Sequence, residues 1–180
     1  WNLRKGGSPI LVQHESRVWY AAVNPDSTHM ASIDGGGLNK TGQMKITPMR
    51  GEGESVVVNT TLGSVLAWSS DGQRILVGQA NGGGAVYGAD GQGPLVRLPK
   101  ASGAVRHVAF SPKGKFAVIS GGKYARLWPA DFSGEPRKLT HRHPVVYSDF
   151  NHDDSLVATA SHGGEVKVWS TGGASEPIVF

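Results

Sequence analysis

"GGKYARLW", residues 121–128, and "HGGEVKVW", residues 162–169, close two copies of one unit with the tryptophans Trp128 and Trp169. Tyr87, in "GGGAVYG", precedes Trp128 by the same interval that separates Trp128 from Trp169. A period of this size, about 40 residues, marks a row of similar units, each able to bury its faces only against a neighbour. Two more markers keep the beat. Segments of the type "VAFSPKG" recur at Val23, Trp68, Phe110 and Phe150, at nearly even intervals. Proline-led segments recur at Pro9, Pro94, Pro136 and Pro177.

Within the best copy, short runs rich in Val, Ile, Leu and aromatics alternate with turn clusters, which is the pattern of strands and not of helices. The predicted strands are Val105 to Phe110, Phe116 to Ser120, Tyr124 to Trp128 and Pro136 to Leu139. Between them lie Ser111-Pro112-Lys113-Gly114, Gly121-Gly122-Lys123 and the stretch from Pro129 to Gly134. Gly makes up 26 of the 180 residues, about twice its usual share, as a chain with many tight turns requires.

These residues resemble the WD-repeat β-propeller family, whose units run about 40 to 45 residues from a Gly-His start to a Trp-Asp end. Trp1, Trp128 and Trp169 hold the tryptophan place, followed here by Asn2, Pro129 and Ser170 instead of Asp. The family's turn signature stands as "FSPKG" at 110–114 and "WSSDG" at 68–72. The resemblance implies an all-β fold of four-stranded antiparallel blades, four of them plus one extra outer strand. The expected division is 1–13 for the end of a preceding blade, then blades at 14–58, 59–99, 100–140 and 141–180. Trp1 in a repeat-ending place and an outermost strand at Phe180 lead to the expectation of an arc of a larger ring. Missing blades of a parent chain or a second copy would then close it, since an open arc exposes two apolar sheet faces.

In well-formed members of the family a His, a strand Ser or Thr, a turn Asp and the Trp form one hydrogen-bonded set. The resemblance places His141, Ser161 and Trp169 in that set in the last copy, with Gly163 at the Asp position. The copy before it supplies Ser120 and Trp128, with Ala101 and Gly122 at the other two places. On this reading the set is incomplete and packing must hold the blades.

Composition narrows the chemistry. There is no Cys, which excludes disulfides and thiolate metal sites, and no apolar run of about 18 residues that would span a bilayer. The net charge of +4 comes from Lys and Arg that stand singly or in pairs and never reach a run of five, whereas nucleic-acid binding needs clustered cations. That argues against a nucleic-acid partner. "GGGLNKT", from Gly35, has Asn39 where a phosphate loop needs Gly, and neither it nor "GGGAVYG" opens a helix. His141, His143, His152 and His162 fall in one repeat with Asp149, Asp153 and Glu165, but His141 already occupies a structural place, so neither metal nor cofactor is expected. No G-x-S-x-G elbow occurs, and the protein is read as a non-enzyme, the alternative being a propeller enzyme with a site in the central channel. The expected location is cytoplasmic, although Trp1 is no initiator and any upstream signal would precede this sequence.

What remains is a binding surface for a protein or peptide. The span from Val23 to Thr47 is longer than the matching spans Trp68 to Tyr87, Phe110 to Trp128 and Phe150 to Trp169, which places an insertion between Asp34 and Gly42. Apolar residues at Val105, Val108 and Phe110 are spaced by three and then two, which predicts a β-bulge that turns one side chain outward. The bulged place is Arg106, and its counterparts are Trp19, Ser64 and Val146. Trp and Arg are the residue types that anchor interfaces most often. The candidate binding residues are therefore Trp19 and Arg106, with Lys40 in the inserted hairpin and His143. The resemblance implies a scaffold or sensor module of a larger protein.

Overall fold

The computed structural model describes residues 9–35, 41–50, 53–173 and 175–180. Every regular element in it is a strand, and the sixteen strands make four antiparallel four-stranded sheets. The first holds β1 (Val18–Val23), β2 (His29–Asp34), β3 (Gly42–Pro48) and β4 (Val56–Thr60). The second holds β5 (Gly63–Trp68), β6 (Arg74–Gln79), β7 (Gly84–Gly88) and β8 (Val96–Leu98). The third holds β9 (Val105–Phe110), β10 (Phe116–Gly121), β11 (Tyr124–Pro129) and β12 (Arg137–Thr140), within one or two residues of the predicted strands at each end. The fourth holds β13 (Val145–Phe150), β14 (Leu156–Ser161), β15 (Val166–Ser170) and β16 (Ile178–Val179).

Each sheet is a simple meander, and the sheets touch through their first strands, β1 to β5, β5 to β9 and β9 to β13. The first strands are thus the inner edge of an arc of propeller blades, and the sheets do not close into a ring. Two details differ from the sequence reading. Ile10 to Val12, where the extra outer strand of the segment 1–13 is expected, form no strand. That stretch instead runs across the first sheet, where Lys45 Nζ donates to the Gln13 carbonyl at 2.6 Å and His14 inserts against Ser32. The boundary at residue 58 falls inside β4, which continues to Thr60 because Thr60 pairs with Gly42.

The core is not one mass but three seams, one between each pair of neighbouring blades. Ala31, Ile33, Met44 and Ile46 of the first blade meet Leu66, Ile75 and Val77 of the second. Leu76, Val86 and Leu98 meet Val105, Val108, Ile119 and Trp128, and Val118, Leu127 and Leu139 meet Val145, Val157 and Trp169. Full burial of one such aliphatic side chain stabilises by about 1.5–3 kcal/mol, so the seams carry most of the stability.

Polar ties cross the same seams. Trp68 Nε1 donates to the Ala22 carbonyl at 3.0 Å, Arg74 to the Ala130 carbonyl at 2.7 Å and Arg137 to the Ser170 carbonyl at 2.6 Å. Buried Arg126 donates to the carbonyls of Pro99 and Gly82. Packing is therefore joined by side-chain hydrogen bonds to a neighbouring blade's backbone.

Candidate functional site

All four innermost strands carry a register shift at the same place. In β9 the pairing with β10 skips Arg106, in β1 it skips Trp19, in β5 Ser64 and in β13 Val146. A bulged residue drops out of the ladder and its side chain is re-aimed, here toward the end of the arc where the first strands begin. Three of the four bulges meet in one cleft of about 450 Å³. Trp19 and Gly35 of the first blade form one wall, Leu62, Gly63, Ser64, Val65 and Ala80 of the second the floor, and Ala104, Val105 and Arg106 of the third the other wall.

Close backbone approach makes the cleft. A Cβ on Gly63 would lie 2.3 Å from Ile33 Cδ1, and one on Gly78 would lie 2.5 Å from Val105 Cγ1, so these glycines let an inner strand come close to the second strand of the preceding blade. A Cβ on Gly35 would lie 2.1 Å from Trp19 Nε1, so the indole rests directly on the backbone at the end of β2. Trp19 is nevertheless 55% exposed, and the Arg17 guanidinium sits 4.8 Å from its ring centroid. Arg106 is exposed and takes part in no ion pair among the described residues. Among the described residues the cleft lining contains no carboxylate.

Of the four residues expected to bind, Trp19 and Arg106 stand on facing walls. His143 lies elsewhere, on the fourth blade, packed against Gly163 so closely that a Cβ there would come within 2.2 Å of its ring. Lys40 lies outside the described residues. Sequence reading missed the apolar floor at Leu62, just before β5, and Val65, within it, because no local pattern marks either; the Gly63 between them was the available signal.

The hydrogen-bonded set in the last blade differs from the expected one. His141 Nδ1 faces Glu165 Oε2 at 2.8 Å and Nε2 faces Thr159 Oγ1 at 2.7 Å, and Trp169 Nε1 donates to the same Oγ1 at 2.8 Å. Thr159 thus takes the place assigned to Ser161, whose hydroxyl donates instead to the Glu165 carbonyl at 3.3 Å. Glu165 supplies the carboxylate from across the hairpin, so the absence of Asp at Gly163 leaves no gap. Burial lowers the His141 pKa, the hydrogen bond to Glu165 raises it, Lys167 lowers it, and the balance lies below the ordinary histidine value. The imidazole is neutral at pH 7 and its Nδ1 proton faces the carboxylate.

In the third blade the set does not form. Ser120 Oγ donates to Ser148 of the next blade at 2.7 Å, and the buried Trp128 Nε1 has no partner. In the first blade it forms without a tryptophan: His14 lies 3.0 Å from Asp34 Oδ2 and 2.8 Å from Ser32 Oγ. This Ser-His-Asp line has the connectivity of a nucleophilic triad, but Ser32 is 3% exposed, so a substrate has no approach to it. Among the described residues no three His, Asp or Glu side chains gather as a metal would require.

Four-stranded meanders arranged around a common inner edge define a β-propeller arc. The family model described as WD domain, G-beta repeat matches residues 93–129 and 134–170, and those two segments are WD40 repeats. Each match begins before an outer strand, β8 or β12, and ends one residue beyond Trp128 or Trp169, so one repeat spans two sheets. WD40 repeats generally act in protein–protein scaffolds and are typically non-enzymatic. No curated protein matches the chain.

Proposed function

We propose that the chain is a non-enzymatic interaction module that holds a peptide segment of a partner protein in the cleft between Trp19 and Arg106. One observation carries this reading: the bulges of three successive blades converge on one concavity, and they bring to it an exposed aromatic and an exposed guanidinium. A cleft with an apolar floor and few polar groups is the usual form of a ligand site. Residues re-aimed by bulges at its rim offer the anchors on which binding energy concentrates.

The test is affinity capture with Trp19→Ala plus Arg106→Ala. A variant that keeps its thermal unfolding profile and loses the captured partner supports the cleft; unchanged capture removes it. Further blades or a second copy would cover the open face of the fourth sheet, where Val166 and Phe180 are exposed while the matching Ala125 and Leu139 of the third sheet are buried. Light scattering on the purified chain distinguishes a closed dimer from an open monomer.

A further inference from the structure

The cleft also has a chemical preference. Its apolar part is aliphatic, Leu62, Val65 and Val105, and ends against the indole of Trp19. Among the described residues its lining holds one charged side chain, Arg106. Arg106 projects from one wall and Arg17 lies over Trp19 on the other, and no ion pair among the described residues involves either. Ser64, the one hydroxyl among the described lining residues, donates to the carbonyls of Gly78 and Val105 at 3.2 and 3.3 Å. The nearby Asp34 is buried against His14 and accepts from the Gln43 backbone N–H at 2.8 Å.

From this we propose that the segment bound here is acidic: a peptide in which an Asp or Glu lies next to a Leu, Phe or Trp. The apolar side chain enters between Trp19 and Val105, and the carboxylate meets the Arg106 guanidinium. This rests on reading the cleft as a peptide site and adds the class of peptide. A guanidinium presents two parallel N–H groups that match a carboxylate, and such charge-assisted bonds are about twice as strong as neutral ones. A basic segment would bring like charge against Arg106 and Arg17. A nucleic-acid strand would find an aromatic ring and two cations, but not the track of cations that follows a phosphate backbone.

A random peptide display library selected on the purified protein tests this, with the Trp19→Ala plus Arg106→Ala variant used for counter-selection. Enriched sequences are expected to pair a carboxylate with a neighbouring apolar residue. An enriched peptide and its Asn/Gln counterpart are then titrated by fluorescence polarisation, where the amide form is expected to bind about tenfold weaker or worse. Arg106→Gln is expected to erase that difference, whereas Trp19→Ala weakens both peptides alike. Enrichment of uncharged or basic sequences, or equal binding of acid and amide forms, overturns the acidic class and leaves a peptide cleft. No enrichment over the double variant overturns the cleft itself. Tight binding of oligo-dT that depends on Arg106 and falls steeply with salt assigns it to nucleic acid instead.

Discussion

Asp154 accepts a hydrogen bond from Ser111 Oγ at 2.6 Å across the boundary between the third and fourth blades. It also accepts from the backbone N–H groups of Lys113 at 2.9 Å and Lys115 at 3.2 Å. The second blade shows what this arrangement replaces. There Ser69 Oγ donates to Asp71 of its own turn at 2.5 Å, and Asp71 accepts from the Gln73 N–H at 3.0 Å. In the third blade Lys113 stands where Asp71 does, and the next blade provides the missing carboxylate. Asp154 reaches it from a left-handed backbone, φ 66°, at a position held by Gly72 and Gly114 in the two preceding turns. A non-glycine residue there costs roughly 1–2 kcal/mol, which the three bonds offset.

Asp154→Asn is expected to destabilise by about 2–3 kcal/mol, because its amide would turn a donor toward donors while its backbone strain stays the same. Adding Lys113→Asp restores a carboxylate within the turn and is expected to recover most of the loss. Urea unfolding of both single variants and the double gives the coupling. Additive losses would show that Asp154 acts otherwise than as a substitute cap.

The orphaned indole of Trp128 leads to a second expectation. Ile119 occupies the register place that Thr159 has in the fourth blade, since Ile119 pairs with Arg126 as Thr159 pairs with Lys167. Ile119→Thr would offer Trp128 Nε1 an acceptor and the Arg126 carbonyl a donor. It is expected to be no less stable than Ile119→Val, although a buried hydroxyl without partners costs about 1–3 kcal/mol. Val77→Thr is the contrast, because the partner there is Tyr87, which has no ring N–H, and it should lose that amount. Equal losses in the two blades would remove the argument.

The repeat and its turns were legible because strand alternation and turn chemistry are local and recur in phase. The bulge at Arg106, with its counterparts at Trp19, Ser64 and Val146, was legible for the same reason: an extra residue leaves a break in apolar spacing. What was hidden is what crosses between elements. Nothing local distinguishes Thr159 from Ser161 as the partner of His141, since both lie on the same face of β14 and the choice depends on where along that strand His141 packs. Glu165 reaches His141 across a hairpin, and Asp154 serves the turn of the preceding blade. His143, expected at the same site as Trp19 and Arg106, packs its ring on Gly163 of its own blade.

Acid should weaken the fold in two stages. Burial holds His107 below the ordinary histidine value of 6.5, against the opposing pull of Asp149 and a backbone hydrogen bond at Ser148, and His141 is lowered as well. The unfolded chain then binds protons that the folded chain refuses, so stability is full above about pH 6.5 and declines as pH falls toward the folded values. Burial raises the Asp154 carboxyl, but its bonds from Ser111, Lys113 and Lys115 outweigh that and hold it below 3.8. Its contribution is present above that pH and is lost further into acid. Denaturant midpoints between pH 8 and 5 should fall in the parent and fall less in His107→Asn. A flat profile in the parent would contradict neutral imidazoles at His107 and His141.

Trp19 owes its position to the missing side chain of Gly35. Gly35→Ala adds a methyl carbon 2.1 Å from the present site of Trp19 Nε1, and the ring has solvent beside it, so the ring and not the backbone should give way. Stability is expected to change by under about 1 kcal/mol, while binding of a cleft-selected peptide weakens roughly as much as in Trp19→Ala. Comparing indole emission with that of a Trp19→Phe protein isolates the signal of this one ring, which should shift as the indole leaves the cleft wall. Unchanged peptide binding and emission would mean that the wall accepts Trp19 in more than one pose, and the pre-set indole would then have no part in recognition.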